Sequence, residues 1–220
     1  MNKKVNNILN SDRYKHLLTL EYDDIVPFVI KYIKKHTFPV IAAWSFLLGI
    51  IIWMITFRFS LAGNYNFFTV ALYGFAGIVV IPLILVIPHE FLHIIPYFLG
   101  GARNIRIGAD WKQYYFYVTS HLYPVKRFTF ISVALTPFIV ISLGIIYLIY
   151  TINDPLWTWS LFCTLFMHTT MCAGDFALIN YYWLNRKRKI ITWDDADRRE
   201  AYFYEDNGEE GKAKSEEYSN

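Results

Sequence analysis

Between Phe38 and Leu184 the chain is dominated by four apolar runs, each long enough to cross a lipid bilayer as a helix, which takes about 20 residues. The first, Phe38–Phe57, carries no charge. The second begins at Phe67 and continues to Leu99, interrupted by Pro82, Pro88 and Pro96. The third, Phe128–Tyr150, contains Thr136-Pro137, and the fourth is Leu156–Leu184. Residues 38–184 hold only ten of the 39 charged side chains, and the 73 flanking positions hold the other 29. This distribution excludes a soluble globular domain, a disulfide-stapled module and a disordered chain. It predicts an all-α polytopic membrane protein of about four transmembrane helices, because a helix satisfies its own backbone in hydrocarbon.

The chain therefore reads as three parts. Residues 1–37 form an N-terminal segment, 38–184 a four-span membrane unit (spans about 38–57, 67–99, 128–150 and 156–184), and 185–220 a charged tail. The N-terminal segment carries seven basic residues, the 100–127 loop five and the tail eight, whereas the two opposite loops share only Arg58. Lys and Arg accumulate on the cytoplasmic side. Both termini and the 100–127 loop are thus expected to be cytoplasmic in a multi-pass cell-membrane protein. These basic residues flank apolar runs and form no continuous stripe, so the expected partner is the lipid bilayer and not nucleic acid. The first 37 residues are polar and show no signal peptide, so Phe38–Phe57 reads as an uncleaved first span. The sequence does not fix the oligomeric state.

Local signals refine this outline. The second run, at 33 residues, is too long for one straight span, and its prolines predict either kinks or a break with a shorter helix starting at Pro88. Gly100-Gly101 reads as its C-terminal stop. Tyr14–Lys35 reads as an interfacial amphipathic helix divided at Pro27. Two β-rich stretches within 103–119, separated by Gly108-Ala-Asp, predict a small cytoplasmic-side β-hairpin between spans two and three. From Trp193 onward the tail reads as acidic and solvated, with Asp194-Asp195-Ala-Asp197 an exposed acidic face, and as poorly ordered beyond about residue 205. Cys163 and Cys172 are nine residues apart on different faces of one helix and read as buried, inert thiols.

One motif carries chemistry. In His89-Glu90-Phe91-Leu92-His93 the two imidazoles lie on one helix face, where they can grip a Zn²⁺ ion, and Glu90 stands beside them as a general base. Glu90 is the only formally charged residue between Phe59 and Ala102, and an ionisable side chain inside an apolar run is a functional candidate by default. A hydrolytic zinc needs a third protein ligand, and the candidates are His121, His168 and Asp175, with His16 and His36 farther out. Depth separates them. At 1.5 Å per residue, Asp175 lies roughly 14 Å from Leu184, between His93 at roughly 12 Å and His89 at roughly 18 Å from Gly101. His168, at roughly 24 Å, is at least a turn deeper. Asp175 is therefore the expected third ligand, and Gly174 would allow a neighbouring span to approach. His168 shares a face with Cys172 and Asp175 and is a candidate to line the cavity, as is His121 after the hairpin.

An HExxH in an apolar span with an aspartate on a later span resembles the site-2-protease class of intramembrane metalloproteases. More closely, His89–His93, Thr136-Pro137 and Ala173-Gly174-Asp175 resemble a bacterial family of unknown function described as zincin peptidases. The resemblance covers about residues 67–184. It implies zinc held by His89, His93 and Asp175, with Glu90 as base. The aspartate departs from the Asn-Pro…Leu-Asp-Gly context of the better-known site-2 proteases, since here it lies in Gly-Asp-Phe.

The expected function is a membrane-embedded zinc metalloprotease that hydrolyses membrane-protein or peptide substrates, with the hairpin offering an edge on which an extended substrate can pair. The alternative is a non-catalytic membrane metal-binding or transport protein that uses the same cluster. A haem bracketed by His93 and His168 fits poorly, because the two differ in depth.

Overall fold

The computed structural model describes residues 3–110 and 115–208. Helix α1 (Lys3–Leu9) leads to strand β1 (Tyr14–Glu21), a 3-10 turn and helix α2 (Ile25–Ile33). Helix α3 (Phe38–Ser60) is followed by α4 (Phe67–Phe75), which passes through a π-helical turn (Ala76–Val80) into α5 (Ile81–Leu99). The hairpin β2 (Ile105–Asp110) and β3 (Tyr115–Ser120), the short β4 (Val125–Lys126) and α6 (Arg127–Thr151) come next. A bent pair, α7 (Pro155–Met171) and α8 (Ala173–Leu184), then gives way to β5 (Ile190–Asp195) and β6 (Glu200–Asp206). The turn between β2 and β3 and the tail beyond 208 lie outside the described residues.

The helices start where the local chemistry favours it. The Asn66 side chain accepts the Thr69 N–H at 2.9 Å to cap α4. Asp154 does the same for α7, accepting from Leu156 and Trp157, with Pro155 in the first turn. Helix α5 stops at Leu99, and Gly101 takes a left-handed conformation (φ 91°) that a side chain would resist.

Three helical stretches are long and apolar enough to cross a membrane: Phe38–Ser60, Phe67–Leu99 and Arg127–Thr151. The α7–α8 pair, bent by 44° at Cys172, makes a fourth if it counts as one broken span. Their packed interior includes Ile50, Ile141, Ile145, Leu161 and Phe162. Their outer faces present large apolar side chains such as Trp44, Leu48, Leu83, Ile87 and Leu143, a surface compatible with hydrocarbon. Both cysteines are buried and unpaired.

The fold is not all-α. Besides the hairpin it contains an antiparallel sheet in the order β1-β6-β5-β4, with Leu20 opposite Ala201 and Asp194 also opposite Ala201 from the other side. The sheet draws one strand from the N-terminal segment, expected to be helical, and two, β5 and β6, from the charged tail, expected to be solvated from Trp193 onward. Strand alternation is hard to read there because both faces are covered. Phe203 packs with Tyr97, Phe130 and Tyr182 on the helix side, while Tyr202 and Tyr204 stack on Trp193 on the other. Neighbouring positions on β6 are thus apolar or aromatic whichever way they point.

Of the two expectations for the second run, the break is not found. Pro88 lies inside α5 and starts no new helix. The irregularity comes earlier, at Ala76–Val80, just before Pro82. A proline supplies no N–H and crowds the carbonyl four residues back, and a π turn absorbs that mismatch without ending the helix. Close packing holds this segment against α7: a Cβ on Gly77 would stand 2.1 Å from the Ser160 carbonyl oxygen. The Trp159 indole donates to the Val70 carbonyl at 3.1 Å.

Candidate metal centre

Helix α5 carries His89 and His93 one turn apart, both buried, and Glu90 beside them is half-buried. The bend at Cys172 sets Asp175 in the first turn of α8, where its carboxylate straddles the two imidazoles. Asp175 Oδ2 is 3.5 Å from His89 Nε2, and Asp175 Oδ1 is 3.8 Å from His93 Nε2. Both distances exceed an ordinary N–H···O hydrogen bond of about 2.7–3.2 Å. They lie close to the edge of a tetrahedron with metal–ligand bonds of about 2.0–2.1 Å, which is about 3.4 Å. Each imidazole thus faces its own carboxylate oxygen, and two imidazoles with one carboxylate are a donor set that zinc takes with one position open.

The far side of each histidine is engaged as well. Since a carbonyl can only accept, His93 Nδ1–H donates to the Val133 carbonyl of α6 at 2.9 Å. That leaves the Nε2 lone pair facing Asp175. The Val133 carbonyl is open to this bond because the residue four places on is Pro137, which has no N–H to offer it. His89 Nδ1 is 3.5 Å from His168 Nε2, and His168 Nε2 is in turn 3.8 Å from Cys172 Sγ. Phe138 stacks over the His168 ring. His168 therefore stands behind His89, and it does not line the cleft in front of it.

That cleft has a volume of about 480 Å³. His89, Glu90, His93 and Asp175 line one side of it. The other side is built from β1 and α2 (Leu20, Val26, Val29), β3 (Phe116–Thr119) and the large sheet (Asp194, Ala201, Phe203). Gly174 lines it too, and nothing lies within 4 Å of where its Cβ would be. The glycine thus admits no neighbouring span; it leaves open space beside Asp175.

His121 lies elsewhere. It is buried at the end of the hairpin, outside the cleft lining, with Nδ1 accepting the Ala196 N–H at 3.1 Å. The proton of the neutral ring is then on Nε2, 3.5 Å from Asp197 Oδ2. Asp195 Oδ1 accepts the N–H groups of Asp197 and Arg198. His121, Asp195 and Asp197 cluster closely, but these bonds are those of a capped turn. Asp194, expected on an exposed acidic face, instead reaches the cleft. Its place on a strand was not readable from the sequence.

Residues 82–190 match the family described as "Putative zincin peptidase", and this part of the chain belongs to that family. The match runs from the start of α5 to the first residue of β5 and takes in all four residues around the cleft's polar wall. The family supports a metallopeptidase with zinc as its metal. No curated protein and no solved structure matches the chain.

Proposed function

We propose that the protein is a membrane-embedded zinc peptidase with its site between α5 and α8, in which His89, His93 and Asp175 hold the metal and Glu90 is the general base. The Asp175 carboxylate lying across both HExxH imidazoles carries this reading. Bound zinc supplies Lewis acidity toward the scissile carbonyl and water. The chain's residues do the rest. Glu90, on the cleft wall beside both ligand histidines, takes the proton from the attacking water and returns it to the leaving amine. Val133 and His168 hold the two imidazoles in orientation through their Nδ1 atoms. Peptide reaches this wall extended along Phe116–Thr119 of β3, which among the described residues has no strand partner other than β2.

In this reading the apolar helices cross the cell membrane, both termini and the sheet face the cytoplasm, and the substrates are membrane proteins or peptides released from them. The test compares purified wild type with Glu90→Gln for zinc content and for cleavage of membrane-protein fragments. One zinc per chain in both proteins, with cleavage lost only in the variant, is the expected result. Cleavage that survives in the variant removes Glu90 as the base. A metal carrier without hydrolysis would bind zinc and cleave nothing in either form.

A further inference from the structure

The sheet side of the cleft carries one acid that this chemistry leaves unused. Along β5 the side chains alternate. Trp193 packs with Val5 and Ile8 of α1 on one face, and Ile190 joins the core of Tyr97, Tyr182 and Phe203 on the other. Asp194, four places beyond Ile190, shares that inner face and lines the cleft. Tyr97 of α5 lines the same cleft. The backbone there is fixed, since the Leu122 N–H donates to the Asp194 carbonyl at 2.7 Å.

The surroundings do not satisfy the carboxylate. No Lys or Arg lines the cleft among the described residues, and Asp194 makes no ion pair among them. The buried Thr119 hydroxyl comes near it without closing a regular hydrogen bond. The rest of the lining is mostly aliphatic and aromatic. Burial pushes this carboxyl up to about 6, so it still ionises near neutrality. A charge left unpaired in such a place costs stability, and a ligand of opposite sign recovers it.

We propose that Asp194 anchors a subsite for a cationic group of the substrate, either a Lys or Arg side chain or a free α-ammonium. That the cation belongs to a peptide rests on the peptidase reading; that the subsite takes a cation does not. Its position follows from α5. Tyr97 lies on the helix face that carries His89 and His93, one turn (about 6 Å) beyond His93. Extended peptide advances about 3.3 Å per residue. A cation held beside Tyr97 therefore falls about two to four residues from the bond that Glu90 serves.

The test uses the full chain in detergent, with Glu90→Gln to keep peptides intact. The probes are four fluorescent decapeptides, with a central Lys or norleucine and a free or acetylated N-terminus. One charge, on the side chain or on the terminus, is expected to tighten binding by about 10- to 100-fold, and the arm in which this appears names the source. Adding Asp194→Asn should abolish that preference and leave the neutral peptide's affinity as it was. Equal binding of charged and neutral peptides, a preference that survives Asp194→Asn, or binding of none of the four overturns the subsite. The contrast among peptides needs no substitution at Asp194, so misfolding of that variant cannot mask the answer. Cleavage by the chain with native Glu90 is read separately. A cationic preference without cleavage leaves the subsite standing and removes the peptidase, whereas cleavage without preference does the reverse.

Discussion

His93 and Pro137 are coupled through a single carbonyl. Pro137 cannot close the helical hydrogen bond to Val133, and His93 Nδ1–H takes the vacant acceptor at 2.9 Å. The Thr136-Pro137 element thereby opens the backbone of α6 at the height of the HExxH helix. A helix defect usually weakens a span. Here it orients an imidazole.

Pro137→Ala should therefore separate fold from site. The new N–H competes for the Val133 carbonyl, α6 becomes a more regular helix, and His93 loses an exclusive partner. Zinc affinity is expected to fall by about 10-fold, the lower end for loss of an outer-sphere partner, while helix content is kept. Competition with a chromophoric chelator measures the first and circular dichroism the second. Unchanged affinity would mean that the carbonyl does not orient the ligand.

His168 provides a parallel case with a built-in rescue. With His89 Nε2 holding the metal, its Nδ1 carries the proton and His168 Nε2, 3.5 Å away, is the acceptor; His168→Phe removes that acceptor, whereas His168→Gln retains one. Zinc affinity should drop about 10- to 100-fold in the first variant and recover in part in the second. Equal loss in both would assign His168 to packing against Phe138.

Asp175→Ala takes away the carboxylate whose two oxygens face the two histidines. Zinc should no longer be retained through gel filtration, although the apolar core is untouched. Full zinc retention in this variant would exclude Asp175 from the ligand set.

Gly77→Ala reverses the usual order of helix propensity. In an exposed helix the change would gain about 1 kcal/mol. Here the added methyl meets the Ser160 carbonyl at 2.1 Å and the Cys163 Cβ at 2.7 Å, so the α4–α5 rod and α7 must part. A loss of about 1–3 kcal/mol is expected, read as a lower thermal midpoint in detergent.

Asp194 also sets a pH dependence. Its carboxyl is raised from 3.8 to about 6 by burial, so the folded chain holds this proton more tightly than the unfolded one. The resulting stability is complete below about pH 4 and is lost as pH rises through about 6, an effect on the order of 3 kcal/mol. Asp206, held low by its hydrogen bonds from Arg13, acts in the opposite sense, and its contribution disappears in acid. Between pH 5 and 7 Asp194→Asn should remove the share of the slope that Asp194 contributes. Amide exchange of β5 and β6 measures both. A slope unaltered by Asp194→Asn would place its origin elsewhere.

The chemistry was more legible than the architecture. His89 and His93 announce themselves by spacing, and Asp175 by depth, because a charge inside an apolar run has few explanations. The bend at Cys172 was hidden: it falls between two helical sequences with no proline to mark it. The sheet was hidden for a different reason. Tyr202 and Tyr204 are as aromatic as Phe203, so the middle of β6 shows no polar alternation, and without β6 nothing marks Asp194 as facing a cleft. His121 misled because a histidine after a hairpin looks available, whereas its Nδ1 is consumed by the Ala196 N–H.

The pairing of β1 with β6 gives the cleft a schedule. Glu21 lies opposite Glu200, so the earliest strand finds its only strand partner among the described residues 179 positions later (200 − 21). At about 5–20 residues per second, that interval is about 10–40 s of synthesis, and both ligand-bearing helices, α5 and α8, emerge within it and before β6. The polar wall is therefore complete before its cover is. A chain interrupted before β6 would leave its acids and imidazoles facing the open side of the bundle, so the wall that selects what enters is the final part of the molecule to be assembled.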